Sequence, residues 1–591
     1  MAHRVVVQTR KSGQLIVAAI DFGTTYSGYA YSFKDHYQRD PLQIFSHSWV
    51  DGYGLCTLKV PTTVLFDKAG DFNAFGYEAE EKYAELSSSD KHIGWKYFRH
   101  FKMTLHNRPN LTLKTKLRDD QGKTMPAIKI FSAAIKYLKT HLFNKLTESY
   151  YNRQQSVKGN SVANDVYINI DDDILWILTV PSIWSDSAKQ FMRVAAVQAG
   201  IPEGQLFLAL EPEAAAIFTK TAVLSTNNSD ETGAFENDSQ FMVIDLGGGT
   251  VDITVHKVQN DGKLHEVYPP SGGPWGGTLV DDHIYEFLEN LFGRKVLEKL
   301  KTESTTETLD MHRTLELKKR QFRVTDEDDG KVNLTVPGSL YEIYEEENRE
   351  ERFLDRLERL YSNKVQKKWG RLIIDQNIFH KLFTESIDNL TEHLVAICRR
   401  HDMAGVNTFV LVGGYSECDV LKQSIKDIFT DKHMIIPEEA SSAVAKGAVL
   451  FGHDPDIIDS RRAPCTYGIS TAVPFDSRVH PAKHRHRDMC EDVFKVFIPV
   501  GTEIVPGKTQ VAHSFNTAKS SSVEIYKSIS EHPSFITDPG CEKVGEIDIS
   551  GTAGESTRVD IIMKFGDTEL HVEAKEQETG NKISAKFNFL R

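Results

Sequence analysis

Residues 241–256 read FMVIDLGGGTVDITVH, and residues 15–33 read LIVAAIDFGTTYSGYAYSF. Each stretch is an apolar run that ends in aspartate, turns on glycine and returns as a β-branched or aromatic run. That pattern predicts a buried strand, a tight turn and a second strand, made twice. A plan that repeats within one chain predicts two lobes of similar construction. The chemistry of the turns also repeats. Asp21 and Asp245 each close a buried strand, where a carboxylate is costly unless it is paired or serves a cation. Gly23, and Gly247, Gly248 and Gly249, leave backbone N–H groups open to a phosphate. Thr24, Thr25 and Thr250 add hydroxyl donors. Asp252, two residues beyond Thr250, points to the same face. Two such loops facing each other suit a triphosphate, with Asp21 and Asp245 holding Mg²⁺ largely through its waters, since magnesium dehydrates reluctantly. A third strand-turn, FVLVGGYSE at 409–417, brings Gly413 and Gly414.

Working outward, 591 residues exceed one hydrophobic core, so two lobes and a further domain are expected. With 70 basic against 83 acidic side chains the net charge is −13, which argues against a general nucleic-acid or membrane-surface binder. No apolar run of about eighteen residues predicts a membrane span. The N-terminus lacks the apolar core of a secretory signal, and the six cysteines lack the close pairs of a zinc site. Free thiols and a cytoplasmic location are expected, with nothing that bars nuclear entry.

Between the repeats, SDSAKQFMRVAAVQAG predicts a helix opened by a capping serine and closed at Gly200, with Phe191, Val194, Ala195 and Gln198 at helical spacing. Residues 151–173, 225–240 and 324–353 read as solvated loops, the last as a charged exposed hairpin or helix. HDPDIIDSRRAP, from 453, reads as a polar linker. Beyond it VEIY, EIDIS, VDIIMKF, LHVEA and ISAKFNF alternate with period two, which predicts an antiparallel sandwich with one buried face.

At this point the chain resembles the heat-shock protein 70 family. The resemblance rests on IDFGTTYS, ILTVPSIWSDSAKQ, ALEPEAAAI, IDLGGGTVDITV, GGT at 276–278, ELKKRQF, VLVGGYS and SSAVAKGAVLFG, with the sandwich segments following in order. GTTYSGYAYSF, FRHFKMTLH and SGGPWGG look most like its divergent heat shock 70 kDa protein 12 branch. The resemblance implies an α/β fold: a two-lobed actin-like ATPase of duplicated ribonuclease-H-like lobes. An all-β sandwich resembling the chaperone peptide-binding domain would follow, with no helical lid. The expected divisions are 14–205 for lobe I, 206–453 for lobe II, 454–464 for the linker and 465–591 for the sandwich. Gly23, Thr24, Thr25 and Tyr26 resemble the first phosphate loop, and Gly247, Gly248, Gly249 and Thr250 the second. Asp21, Asp245, Asp252 and Glu211 resemble the carboxylates around Mg²⁺ and the attacking water, and Lys102 the catalytic lysine. Gly276 and Gly277, with Glu316, Lys319 and Arg320 on one helix face, resemble the adenosine grip. Gly413 and Gly414 would let adenine lie against the backbone.

The chain also departs from the family pattern. Thr278 and Leu279 stand for an acidic pair, Tyr415 for a serine, Glu417 for an arginine and Arg323 for a serine. Lys189 stands for an arginine near Pro181, and loses its planar fork. The linker offers only Ile457 and Ile458 as apolar residues, which predicts weak docking. The loop VPFDSRVHPAKHRHRDMCEDV is long, basic and His-rich. His480, His484, His486 and Cys490 fit no standard zinc spacing. The loop suits an exposed surface or a selector of an acidic or phosphorylated segment. The implied function is an ATP-binding, slowly ATP-hydrolysing switch or chaperone that couples nucleotide state to a protein or peptide client, with co-chaperones. The rival is a nucleotide-binding scaffold or signalling protein with little turnover and no general refolding activity.

Overall fold

The computed structural model describes residues 14–590, except 51–55, 107, 109–110, 158–169, 227–228, 325–329, 519, 551–555, 566–567, 578–581 and 584–588. Two sheets share one plan. The first runs in spatial order Leu206–Leu210, Ile174–Val180, Ile16–Asp21, Tyr26–Phe33, Phe45–Ser46. The second runs His433–Ile435, Val406–Val412, Gln240–Leu246, Val251–Val258, Leu264–Gly273. In each, the first three strands are parallel and the last two antiparallel. The central strand is the apolar run that ends in aspartate, buried on both faces as parallel strands are. Truncating one such residue, Ile20→Ala, would cost roughly 2–5 kcal/mol.

Two helices, Glu211–Thr226 and Ala443–His453, cross between the sheets. They touch so closely that a Cβ on Gly447 would collide with the Ala214 carbonyl. One apolar cluster takes in Val17 and Ala19 of the first sheet, Val243 and Val410 of the second, and both helices. The lobes are therefore joined by a packed hinge. The chain leaves the first sheet at Glu211, not at 205: Leu206–Leu210, expected in lobe II, is the edge strand of the first sheet, parallel to Ile174–Val180. The capped helix is Asp186–Gln198, with the Ser185 hydroxyl accepting from the Ala188 N–H. Its buried residues are Ala188, Lys189, Phe191, Met192, Ala195 and Ala196, with Val194 half-buried against the same core and Gln198 exposed.

Other stretches differ from their sequence reading: residues 151–157 continue the Ala127–Val157 helix, and Ile170–Asp173 and Ser229–Thr232 are short helices rather than loop. Residues 331–335 form a strand and Gly338–Glu347 a helix, with Leu334, Leu340, Tyr341 and Tyr344 buried in the second lobe. The runs of Glu on that helix mask an apolar face. The 454–464 stretch is no free linker. Ile458–Arg462 is a strand, parallel to Leu264–Gly273 and antiparallel to Glu503–Ile504. Ile458 packs into the apolar cluster between the sheets with Ile457 against it, and buried polar contacts add to this attachment, which the apolar count could not show. Buried Arg461 forks onto Glu213 at 2.6 and 2.8 Å, and the Arg462 N–H donates to Glu266 at 2.6 Å.

Beyond Thr466 lie a five-stranded and a four-stranded antiparallel sheet. They share a core of Tyr467, Ile469, Ile525, Ile547, Val559, Ile561, Met563 and Val572. These sheets rest on the Asp186–Gln198 helix. The Tyr467 hydroxyl donates to Asp186 at 2.9 Å, and Arg193 forks onto Glu569. The His-rich stretch is ordered: Arg485–His486 pairs with Met489–Ile498, and His484 stacks on Phe535 at 4.1 Å. His480, His484, His486 and Cys490 do not converge, and among the described residues no group of three His, Cys, Asp or Glu is set to hold a metal. Among the described residues, too, no helix is long and apolar enough to cross a membrane.

Candidate functional site

The two hairpins aim their turns at each other. A Cβ on Gly249 would stand 2.8 Å from the Thr24 hydroxyl, and one on Gly248 would strike Thr25. Glycine at these positions is what lets the loops meet. The Thr62 hydroxyl steadies the first loop by donating to the Gly23 carbonyl at 2.9 Å, and the Gly247 N–H closes the second on the Thr250 carbonyl at 3.0 Å. Gly276 and Gly277 seat a third element here. The Gly277 N–H donates to the Gly247 carbonyl at 3.2 Å and the Thr278 N–H to Gly248 at 2.7 Å. This places the N-terminus of the Gly277–Phe292 helix against the second loop, where its dipole favours an anion. Gly413, at φ +85°, lets its turn come within 2.5 Å, measured from a built Cβ, of Asp245. A Cβ on Gly414 would meet no described atom within 4 Å, which leaves a free face.

Four carboxylates gather under the loops, all nearly buried: Asp21, Glu211, Asp245 and Asp252. Asp21 accepts from the Thr179 hydroxyl at 3.2 Å and pairs with Lys59 at 2.7 Å. Glu211 opens one crossing helix and accepts from Lys102 at 2.7 Å. Asp252 accepts from the Ser182 hydroxyl at 3.0 Å and the Ile183 N–H at 3.1 Å, and so ties the second hairpin to the first lobe. Asp245 has no ion pair within 4 Å among the described residues. Burial, then Lys102 in opposition, then the neighbouring Asp21 and Asp252, leave Glu211 raised to about 7. Burial, with Glu211, Asp252 and Asp21 adding to it, lifts Asp245 well above the usual carboxylate range. Burial alone would lower the Lys59 ammonium, but Asp21, Asp245 and Glu211 outweigh it and hold it above its ordinary value. Four carboxylates against two lysines leave a deficit of positive charge. No three of these groups converge to ligate an ion directly, so the oxygen donors suit Mg²⁺ held through its waters, as a hard cation that dehydrates reluctantly.

The residues expected on the adenosine side also gather. Glu316, Lys319 and Arg320 lie on the Thr305–Gln321 helix. Lys319 donates to Glu316 at 2.6 Å, to Asp281 at 2.7 and 2.9 Å, and to the Gly277 carbonyl at 3.2 Å. Burial would raise Glu316, yet Lys319 and Arg320 overcome it and hold its carboxyl well below the usual range. Arg320 pairs with Glu316 at 2.8 Å and with Glu417 at 3.3 Å. Its guanidinium also lies 5.5 Å from the Tyr26 ring centroid, so that it bridges the lobes. Tyr415 is buried, its hydroxyl 3.1 Å from that of Ser386. Arg323 turns away onto Asp419.

The fold thus gathers the expected residues around the two facing loops. The sequence reading missed three others. Asp281 stands one helical turn beyond Gly277 and supplies the acid expected at 278–279, which i+4 spacing would have revealed. Ser182 follows Pro181 in a segment quoted only for its resemblance. Lys59, in LKVP, carries no signal at all; only the fold brings it to Asp21.

A family model described as Hsp70 protein matches residues 167–343. Human heat shock 70 kDa protein 12A is 33% identical over 98% of this chain and 92% of its own length. Human heat shock 70 kDa protein 12B is 30% identical over 97% of this chain and 91% of its own. Chaperone protein dnaK1 of Prochlorococcus marinus is 24% identical over 70% of this chain and 54% of its own.

Proposed function

The chain belongs to the heat shock 70 kDa protein family, on the branch of proteins 12A and 12B, and from this premise we propose that it is an ATP-driven switch. Its two lobes bind ATP and hydrolyse it slowly, and the nucleotide state is passed to the C-terminal sheets, which form a β-sandwich that takes a protein or peptide client. The observation that carries this reading is the set of four buried carboxylates and two lysines beneath two facing glycine loops. When bound, Mg²⁺ supplies charge neutralisation at the phosphates, held by Asp21 and Asp245 largely through its waters.

The chain's own groups do the rest. Backbone N–H groups of Gly23–Thr25 and Gly248–Thr250 would face the phosphates. Lys102 stabilises charge that develops on the transferred group. Glu211, lifted to about 7, can take a proton from the attacking water near neutral pH. Water adds to the terminal phosphorus, the bond to the bridging oxygen breaks, and ADP and phosphate leave.

A short run of contacts links this chemistry to the sandwich. Asp252 holds Ser182, Ser185 caps the next helix, and that helix presents Asp186 to Tyr467 and Arg193 to Glu569. A change at Asp252 therefore bears on the docking of the sandwich, and by linkage a client bears equally on nucleotide affinity.

The ion pair of Lys59 with Asp21 favours a second reading, nucleotide binding with little turnover. Single-turnover hydrolysis by the full chain separates the two. The switch reading expects slow phosphate release that Thr250→Val abolishes and a labelled-peptide affinity that ATP alters. Equal release from wild type and Thr250→Val would overturn it.

A further inference from the structure

The two hairpins differ at one register position. Asp245 faces Asp252 across its hairpin, whereas Asp21 faces Gly28. The room left by Gly28 is filled by the loop before Val60. A Cβ there would lie 3.0 Å from the Leu58 carbonyl and 3.2 Å from Cγ of Lys59. The Lys59 stem thus lies along the first hairpin and its ammonium reaches the Asp21 carboxylate at 2.7 Å. Where the second hairpin spends the position on another carboxylate, the first spends it on a cation. The charged groups facing Lys59 are Asp21, Asp245 and Glu211, three of the four carboxylates of the site. Lys102, the second lysine, is committed to Glu211.

We propose that Lys59 is a built-in counter-charge that stands in for part of the divalent cation, so that this chain holds nucleotide with an unusually weak need for magnesium. The inference rests on the nucleotide-binding reading above. Its physical basis is electrostatic. Polyphosphate entering among four carboxylates meets strong repulsion, which Mg²⁺ ordinarily offsets. An ammonium already at Asp21 offsets part of it, and competes with the cation's hydration shell for the same oxygens.

The test is ADP and ATP affinity of the full chain, measured by calorimetry in magnesium and again in chelator. The proteins are wild type, Lys59→Met and Lys59→Arg, and the melting temperature of each reports folding. Wild type is expected to lose less than about tenfold on chelation and Lys59→Met more than about a hundredfold, with Lys59→Arg close to wild type. Equal loss factors for wild type and Lys59→Met overturn the proposal. So does a loss above about a hundredfold in wild type alone, which decides the matter even if Lys59→Met fails to fold. Wild type that binds no nucleotide in magnesium overturns the underlying reading, and the inference falls with it.

Discussion

The two hairpins at the centre of the lobes share a backbone and differ in how they manage a buried negative charge. In the first, Asp21 is met by the Lys59 ammonium at 2.7 Å. In the second, Asp245 has no ion pair of its own among the described residues, and burial, with Glu211, Asp252 and Asp21 adding and Lys59 opposing, pushes its pKa well above the usual range. One lobe pairs its aspartate with a cation from its own chain, and the other leaves its aspartate without such a partner among the described residues. Duplication of a fold therefore need not duplicate its electrostatics. A single register position, glycine against aspartate, is enough to divide the roles.

The largest effect should come from cutting each hairpin's aspartate. Asp21→Asn orphans a largely buried lysine and should cost roughly 3–5 kcal/mol in urea unfolding. Asp245→Asn removes a buried carboxylate that has no ion pair among the described residues, and should leave stability unchanged or higher. Equal losses for the two would break the comparison. Asp252→Ala comes next. It removes the acceptor for the Ser182 hydroxyl and the Ile183 N–H, and should cost roughly 2–3 kcal/mol by the same measurement.

The second lobe holds another proton-bearing carboxyl, which extends the comparison to the interdomain strand. Glu266 is fully buried beside Glu213; burial first, then that neighbour, raises it from 4.5 to about 8. The folded chain therefore binds a proton that the unfolded chain has released. The contribution of Glu266 to stability should fall as pH rises from about 4.5 to about 8, by at most about 1.4 kcal/mol per unit, and be flat outside that window. Glu266→Gln should flatten the slope, as pH-dependent melts would show. The smallest effect belongs to the bridge between lobes. Arg320→Ala loses its contacts with Tyr26, Glu316 and Glu417 and should cost about 0.5–1 kcal/mol. It should also loosen nucleotide slightly, which a competition titration would detect.

Much of this was legible in the chain itself. Apolar runs closed by aspartate and glycine announce the central hairpins because burial, period and turn chemistry all point the same way there. The carboxylates and glycines of the site lie within those runs or within quoted motifs, so they too could be named. Three features were hidden for physical reasons. Leu206–Leu210 joins the first sheet through a parallel pairing with Ile174–Val180, and no local pattern records which parallel strands pair. The 458–462 strand is held by Arg461, Arg462 and Ser460, polar residues that read as solvated until Glu213 and Glu266 are seen beneath them. Lys59 is remote from every motif, and its role exists only because Gly28 leaves space beside Asp21.

The central claim is that the paired glycine loops and their carboxylates grasp a nucleotide polyphosphate. Calorimetric titration of the purified, folded full chain with ATP in magnesium tests it most directly. The account predicts saturable uptake of one nucleotide per chain, abolished by Gly248→Val, which would drive the loops apart. A folded chain that takes up no adenine nucleotide, or a Gly248→Val chain that binds as wild type does, would contradict it.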